Sequence, residues 1–210
     1  MNDEINNRRK KSIYIINILL LMEEAPRIIR KYFNVREYPK RGYIPRDMDC
    51  IVKPKPKKKK GGLYLGSAEA ARNTKLLKAL NIRAVMTVAE ELDIKYEEED
   101  LISHLNVEVR DDGTDRISKF FDDCCDFIAE KRKSGVSVLV HCAAGISRSA
   151  TIVIAYLMKK KGYSMKGACD LTSSKRGIVM PNPGFLQQLE DYQKKLSIKH
   201  KLAYAIAKVF

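Results

Sequence analysis

Cysteine is scarce and unpaired in this chain: Cys50, Cys124, Cys125, Cys142 and Cys169 form an odd set with no C-x-x-C spacing. That excludes a full disulfide pairing and gives no cysteine-clustered metal site. Long apolar runs are short of membrane length too. The run SIYIINILLLM has 11 residues, too few to span a bilayer. Asp3 and Glu4 before it, Glu23 and Glu24 after it, and the lack of a small-residue cleavage site argue against a secretion signal. There is no internal repeat. These absences lead to the expectation of a reduced, intracellular protein, cytoplasmic and/or nuclear.

With 210 residues, 45% of them hydrophobic, the chain suffices for one well-buried domain with flanking segments. The net charge of +14 is unevenly spread. Residues 1–62 carry 17 basic and 7 acidic residues, residues 194–210 carry 5 basic and none acidic, and the middle is nearly neutral. Electrostatic targeting therefore belongs to the ends. Three roles compete for the apolar run behind Arg8-Arg9-Lys10-Lys11: a helix docked on the domain, a helix on a membrane surface or partner, and a signal core. The stretch KPKPKKKKGG at 53–62 reads as an exposed loop, since prolines disfavour a helix and lysines repel one another; a nuclear import signal is its functional alternative.

From Leu63 onward, short β-rich runs (LYLG, IRAVMTV, LNVEV, VSVLV) alternate with segments of helical spacing. The alternation predicts an α/β fold in three layers: a central mixed, mostly parallel sheet of about five strands flanked by helices. Ser67 is placed to cap a helix through AEAARNTKLLKAL that ends at Asn81, and Ser164 to cap another. The helix at 117–133 is expected to bury Ile117, Phe120, Phe121, Cys124, Phe127 and Ile128. ATIVIAYLM, apolar nearly all round, predicts a central buried helix. Pro183 suits the first turn of the last helix, which the basic tail can extend.

Between VSVLV and ATIVIAYLM stands HCAAGISRS, residues 141–149. It becomes a strand-to-helix loop at the carboxyl end of a strand, where α/β sheets bind ligands. Amide groups at the helix start, the helix dipole and a backbone curled at Gly145 together form an anion nest of phosphate size. Cys142 opens the nest, and the amides, the dipole and Arg148 favour thiolate over thiol there. Arg148 adds a planar fork that grips two phosphate oxygens. A lone core cysteine would explain neither Gly145 nor Arg148. Cys124, Cys125 and Cys169 read as core residues, with a redox partner for Cys142 as the alternative, and His104 and His200 suggest nothing catalytic.

The stretch VLVHCAAGISRSATIVIAYLM, with its Cys-x5-Arg spacing, resembles the signature of the dual-specificity protein phosphatases, close to the MAP-kinase-phosphatase type, within the cysteine-dependent phosphatase superfamily. GLYLGSAEAARN, ISKFFDDCCDFI and KRGIVMPNPGFLQQL resemble further segments of that family, over roughly residues 43–196. The resemblance implies a protein tyrosine phosphatase-like fold and a site without metal or cofactor. Within it Cys142 is the nucleophile, Arg148 the phosphate clamp and Ser149 the hydroxyl that helps the thiolate leave. His141 orients the cysteine, and Ala143, Ala144, Gly145, Ile146, Ser147 and Arg148 form the phosphate-binding loop. The general acid falls on Asp111, with Asp112 and Asp115 as fallbacks.

The domain expectation is an N-terminal basic and apolar extension at 1–45, a catalytic domain at 46–197 carrying the lysine-rich loop 53–62, and a basic helical tail at 198–210. That extension is too short for a rhodanese-like domain, and the fold of 46–62 stays open at this point. Uncharged Ala143, Ala144, Ile146 and Ser147 favour a phosphoprotein substrate, a MAP kinase among the candidates, with RRKKSIYI resembling a kinase-docking motif. The basic flanks suit contact with an anionic membrane surface; nucleic acid is not required. Two other functions stay in view: a catalytically weak phospho-binding adaptor, and a phosphoinositide or RNA 5'-phosphatase.

Overall fold

A computed structural model describes residues 27–33, 46–97 and 102–207, with side chains up to residue 198. The apolar run at 12–22, the basic cluster at 8–11 and the docking-like RRKKSIYI lie outside the described residues.

Five strands form one sheet: β1 (Met48–Val52), β2 (Leu63–Gly66), β3 (Ile82–Val88), β4 (Ser103–Val107) and β5 (Ser137–His141), in the order β1-β2-β5-β3-β4. β2, β5, β3 and β4 run parallel and β1 is antiparallel at the edge, so the mixed, mostly parallel sheet stands as expected. Seven helices accompany it among the described residues: α1 (Arg27–Tyr32), α2 (Ala68–Arg72), α3 (Thr74–Ala79), α4 (Phe121–Lys133), α5 (Arg148–Lys161), α6 (Met165–Lys175) and α7 (Pro183–Ala207).

Side-chain alternation divides the sheet into two packed faces. Leu63, Leu65, Val138, Val140, Ala84, Met86 and Val88 face the larger core, shared with α4 to α7. Tyr64, Leu139 and Val85 face a smaller one closed by Ala70, Ala71, Leu77 and Ile94. Every residue of α5 from Arg148 to Met158 is buried, in line with its unbroken apolar run. Ser67 and Ser164 cap α2 and α6 as expected, accepting from Ala70 N and Gly167 N.

Two helix expectations are corrected. The single helix after Ser67 is two: Asn73 Oδ1 accepts from Leu76 N at 3.0 Å and starts α3 afresh, while its own N–H closes α2 on Ala70 O. The helix at 117–133 opens with a 3-10 turn, Ile117–Phe120, and buries Cys125 in place of Phe120 and Phe127, which are half-buried. Residues 46–62 hold an edge strand and a hairpin. β1 pairs with β2, and the exposed lysine loop folds back through a 3-10 turn at Pro56–Lys58 and a bridge between Lys55 and Lys60. Gly61 is there for space: a Cβ would stand 1.8 Å from Val136 O.

Candidate active site

The loop between β5 and α5 sits at the carboxyl end of the sheet, and its carbonyl groups have outside partners in turn. Cys142 O accepts from His141 Nδ1, Ala143 O from Ala68 N, Ala144 O from Arg176 Nη2, Gly145 O from Arg176 Nε, and Ile146 O from Met180 N. In a trans peptide the N–H of the next residue points away from the carbonyl. With the carbonyls tied outward, the amides from Ala143 to Ser147 turn to the concave side around Cys142 Sγ, where the start of α5 adds its dipole. Gly145 N–H reaches Sγ at 3.3 Å. Gly145 itself has φ +70°, and a Cβ on it would lie 2.4 Å from Gly66 O.

Arg176 organises this loop from outside. It is 1% exposed, donates to two loop carbonyls and to Arg46 O, and pairs with buried Asp49 at 2.9 Å. The KRGIVMPNPGFLQQL segment carried it in the sequence, yet its partner Asp49, 127 residues away on β1, left no local signal.

Cys142 is 2% exposed, and Ser149 Oγ donates to its sulfur at 3.2 Å. Burial pushes the Cys124, Cys125 and Cys169 thiols up to about 12, so they are inert core residues.

His141 is fully buried, and burial lowers it to about 4, so the ring is neutral at pH 7. Because Cys142 O only accepts, His141 Nδ1 carries the proton and Nε2 accepts from the Thr87 hydroxyl at 2.8 Å. Thr87 Oγ1 in turn accepts from His104 Nε2 at 2.7 Å. The ring of His141 thus serves the loop backbone rather than the sulfur. Thr87 and His104, on β3 and β4, are members of this chain that the sequence did not mark.

Arg148 has five N–H donors, and the structure accounts for three of them. Nη1 donates to Glu91 Oε2 at 2.6 Å and to Val109 O at 3.2 Å; Nη2 donates to Glu91 Oε1 at 2.7 Å. Glu91 therefore grips the guanidinium end-on. The buried Nε–H, which has no hydrogen-bond partner among the described residues and only the 3.9 Å approach of Asp111 Oδ2, and the second Nη2 hydrogen remain, and these two form the side-on fork. The Arg148 guanidinium holds Glu91 below the usual carboxylate range.

Three aspartates competed for the loop that follows β4. Asp111 Oδ1 accepts from Ser147 Oγ at 2.6 Å and from Asn182 Nδ2 at 2.9 Å, and its Oδ2 lies 3.9 Å from Arg148 Nε. Asp112 is turned into its own turn by Thr114, and Asp115 accepts from the Arg110 and Arg116 amides. Only Asp111 of the three meets the cysteine loop. Ser147, expected in the loop for its backbone, also uses its side chain to hold Asp111. Ala143 is exposed and Ala144 and Ile146 half-buried, giving the nest an uncharged rim.

Comparison with known proteins gives the family. Residues 63–195 match the family model for the dual specificity phosphatase catalytic domain. The chain is 42% identical over 137 residues to dual specificity protein phosphatase 1 of Arabidopsis thaliana, covering 65% of this chain and 68% of that protein. It is 35% identical to human dual specificity protein phosphatase 9 over 66% of this chain and 36% of the human protein. Among solved structures, human DUSP28 superposes with a TM-score of 0.66 at 27% identity, covering 73% of this chain and 97% of that one. The match over most of the chain, in sequence and in fold, makes this protein a member of the dual specificity phosphatase family and a phosphoric monoester hydrolase acting on proteins.

Proposed function

We propose that the protein removes phosphate from phosphotyrosine and phosphoserine or phosphothreonine in proteins by way of a phosphocysteine. The observation that carries this reading is the side-on fork of Arg148, without a hydrogen-bond partner among the described residues, beside a loop whose Gly145 amide meets the buried Cys142 sulfur. A phosphoryl group seated there accepts two hydrogen bonds from Arg148 and several from the amides, which favours the charge spread over its equatorial oxygens in the transition state.

The thiolate of Cys142 attacks phosphorus in line. The S–P bond forms as the P–O bond to the substrate breaks, and Asp111 gives its proton to the departing oxygen. Water then attacks the phosphocysteine while the Asp111 carboxylate takes its proton. Sulfur leaves as thiolate, eased by the Ser149 hydroxyl, and inorganic phosphate is released. His141, held by Thr87, fixes the Cys142 carbonyl so that the loop keeps its curl. The uncharged rim supports phosphoprotein substrates, a MAP kinase among them, met in the cytoplasm and/or nucleus.

The test is hydrolysis of an aryl phosphate in excess chelator. Wild type turns over and Cys142→Ser falls to background; equal rates for the two would overturn the mechanism.

A further inference from the structure

At the end of the sheet opposite the cysteine loop, the β1–β2 hairpin and the ends of α4 and α5 border an open cavity of about 390 Å³. Its charged lining is entirely basic, Lys53, Lys55, Lys58, Lys60, Arg132 and Lys161, and Leu157 and Leu171 supply an apolar floor. α5 separates it from Cys142 by about 20 Å, since its residues rise 1.5 Å each.

Arg132 is the fixed point of this cavity. It is 5% exposed, with Nε held by Gly61 O at 2.9 Å and Nη1 by Tyr156 OH at 2.7 Å. Its third nitrogen, Nη2, has no hydrogen bond to any described residue, and Arg132 is one of the residues lining the cavity. The lysines around it lack acidic partners among the described residues. At the same end of α5, Lys159 and Lys160 are paired with Asp122 and Asp126, so the shortage of acids is specific to the cavity. Burial, then the charges of Arg132, Lys60 and Lys55, lowers Lys161 from its ordinary value. Solvation alone would favour these lysines spread apart; here the hairpin bridge Lys55–Lys60 gathers them over one buried guanidinium.

We propose that this cavity binds a small anion carrying two or more phosphate groups on a compact ring, either free in solution or as a lipid headgroup. The buried guanidinium takes one phosphate with fixed geometry, the lysines neutralise the others, and the apolar floor lies under the ring. The site is separate from the catalytic nest, so occupation leaves the cleft open to substrate.

The experiment is calorimetric titration of the full chain with inositol hexakisphosphate while orthovanadate saturates the cleft. Binding is expected to persist at one equivalent. The double variant Lys55→Gln, Lys161→Gln should weaken it about tenfold or more, with kcat/KM on an aryl phosphate unchanged. Replacing Arg8, Arg9, Lys10 and Lys11 by Gln should leave it intact. Loss of binding under vanadate, indifference to the double variant, or loss on changing residues 8–11 would each overturn the proposal. Vesicles of phosphatidylcholine with and without phosphatidylinositol 4,5-bisphosphate separate the two sources. Retention that the double variant abolishes identifies a lipid headgroup; no retention alongside calorimetric binding identifies a soluble ligand.

Discussion

At the scale of single residues, the site depends on how hydrogen-bond donors are divided. Glu91 takes the end of the Arg148 guanidinium and leaves open its side, where the proposed mechanism seats phosphate. Glu91→Gln removes one of the two acceptors and the charge, so the fork loses its fixed aim. We predict roughly tenfold lower kcat/KM on an aryl phosphate with unfolding temperature unchanged, because the Glu91 side chain is half exposed and a surface partner contributes little to stability. Arg148→Lys, which cannot form the fork, should fall further. Asp111→Asn should lower kcat by about 10²–10⁴ at neutral pH while vanadate affinity holds, and the equivalent changes at Asp112 and Asp115 should stay near wild type. If Asp112→Asn or Asp115→Asn proved the slow one, the acid would have to be reassigned.

At the scale of elements, the nest is a product of four chain segments. β5 and α5 supply its ends, the stretch after α6 supplies Arg176, and β1 supplies Asp49. Arg176→Met removes the ion pair with buried Asp49 and unties two loop carbonyls, which should cost about 3–5 kcal/mol in urea unfolding and abolish vanadate binding even in the folded fraction. What could be read from the sequence follows the same division. Cys142, Gly145, Arg148 and Ser149 lie in one contiguous stretch between two strongly apolar runs, so spacing alone carried strand, loop and helix. Asp111 was accessible through the resemblance on the helix that follows it. Glu91, Asp49 with Arg176, and Thr87 with His104 act through partners far away in the chain, and nothing local distinguishes them from surface acids or from a stray histidine. β1 escaped notice because its polar Asp49 points inward, where alternation places an apolar residue, and the break at Asn73 because its neighbours keep helical spacing across it.

At the scale of the whole molecule, function and stability share a buried imidazole. His141 is neutral when folded down to about pH 4, against an ordinary value of 6.5. Between those values the unfolded chain holds the proton and the folded one does not, so unfolding takes up a proton and stability falls as pH drops from 6.5 towards 4. His104, lowered mainly by burial, acts with the same sign. The shift at His141 amounts to about 3 kcal/mol when fully expressed. Urea midpoints measured from pH 7 to pH 4 should decline across that window, and His141→Asn should flatten the decline; a wild-type midpoint independent of pH would contradict the neutral imidazole. The charge distribution adds a second property of the whole: the catalytic loop lies at one end of the sheet and the lysine-lined cavity at the other, so substrate and polyanion approach from opposite sides. The covalent phosphocysteine on Cys142 is tested by rapid-mixing hydrolysis of an aryl phosphate by Ser149→Ala. That variant keeps the attack and slows the departure of the thiolate. A phosphocysteine on Cys142 gives a burst of one equivalent of phenol per enzyme, with phosphate recovered on the Cys142 peptide, followed by slow turnover; turnover without a burst, or phosphate found on any other residue, would contradict it.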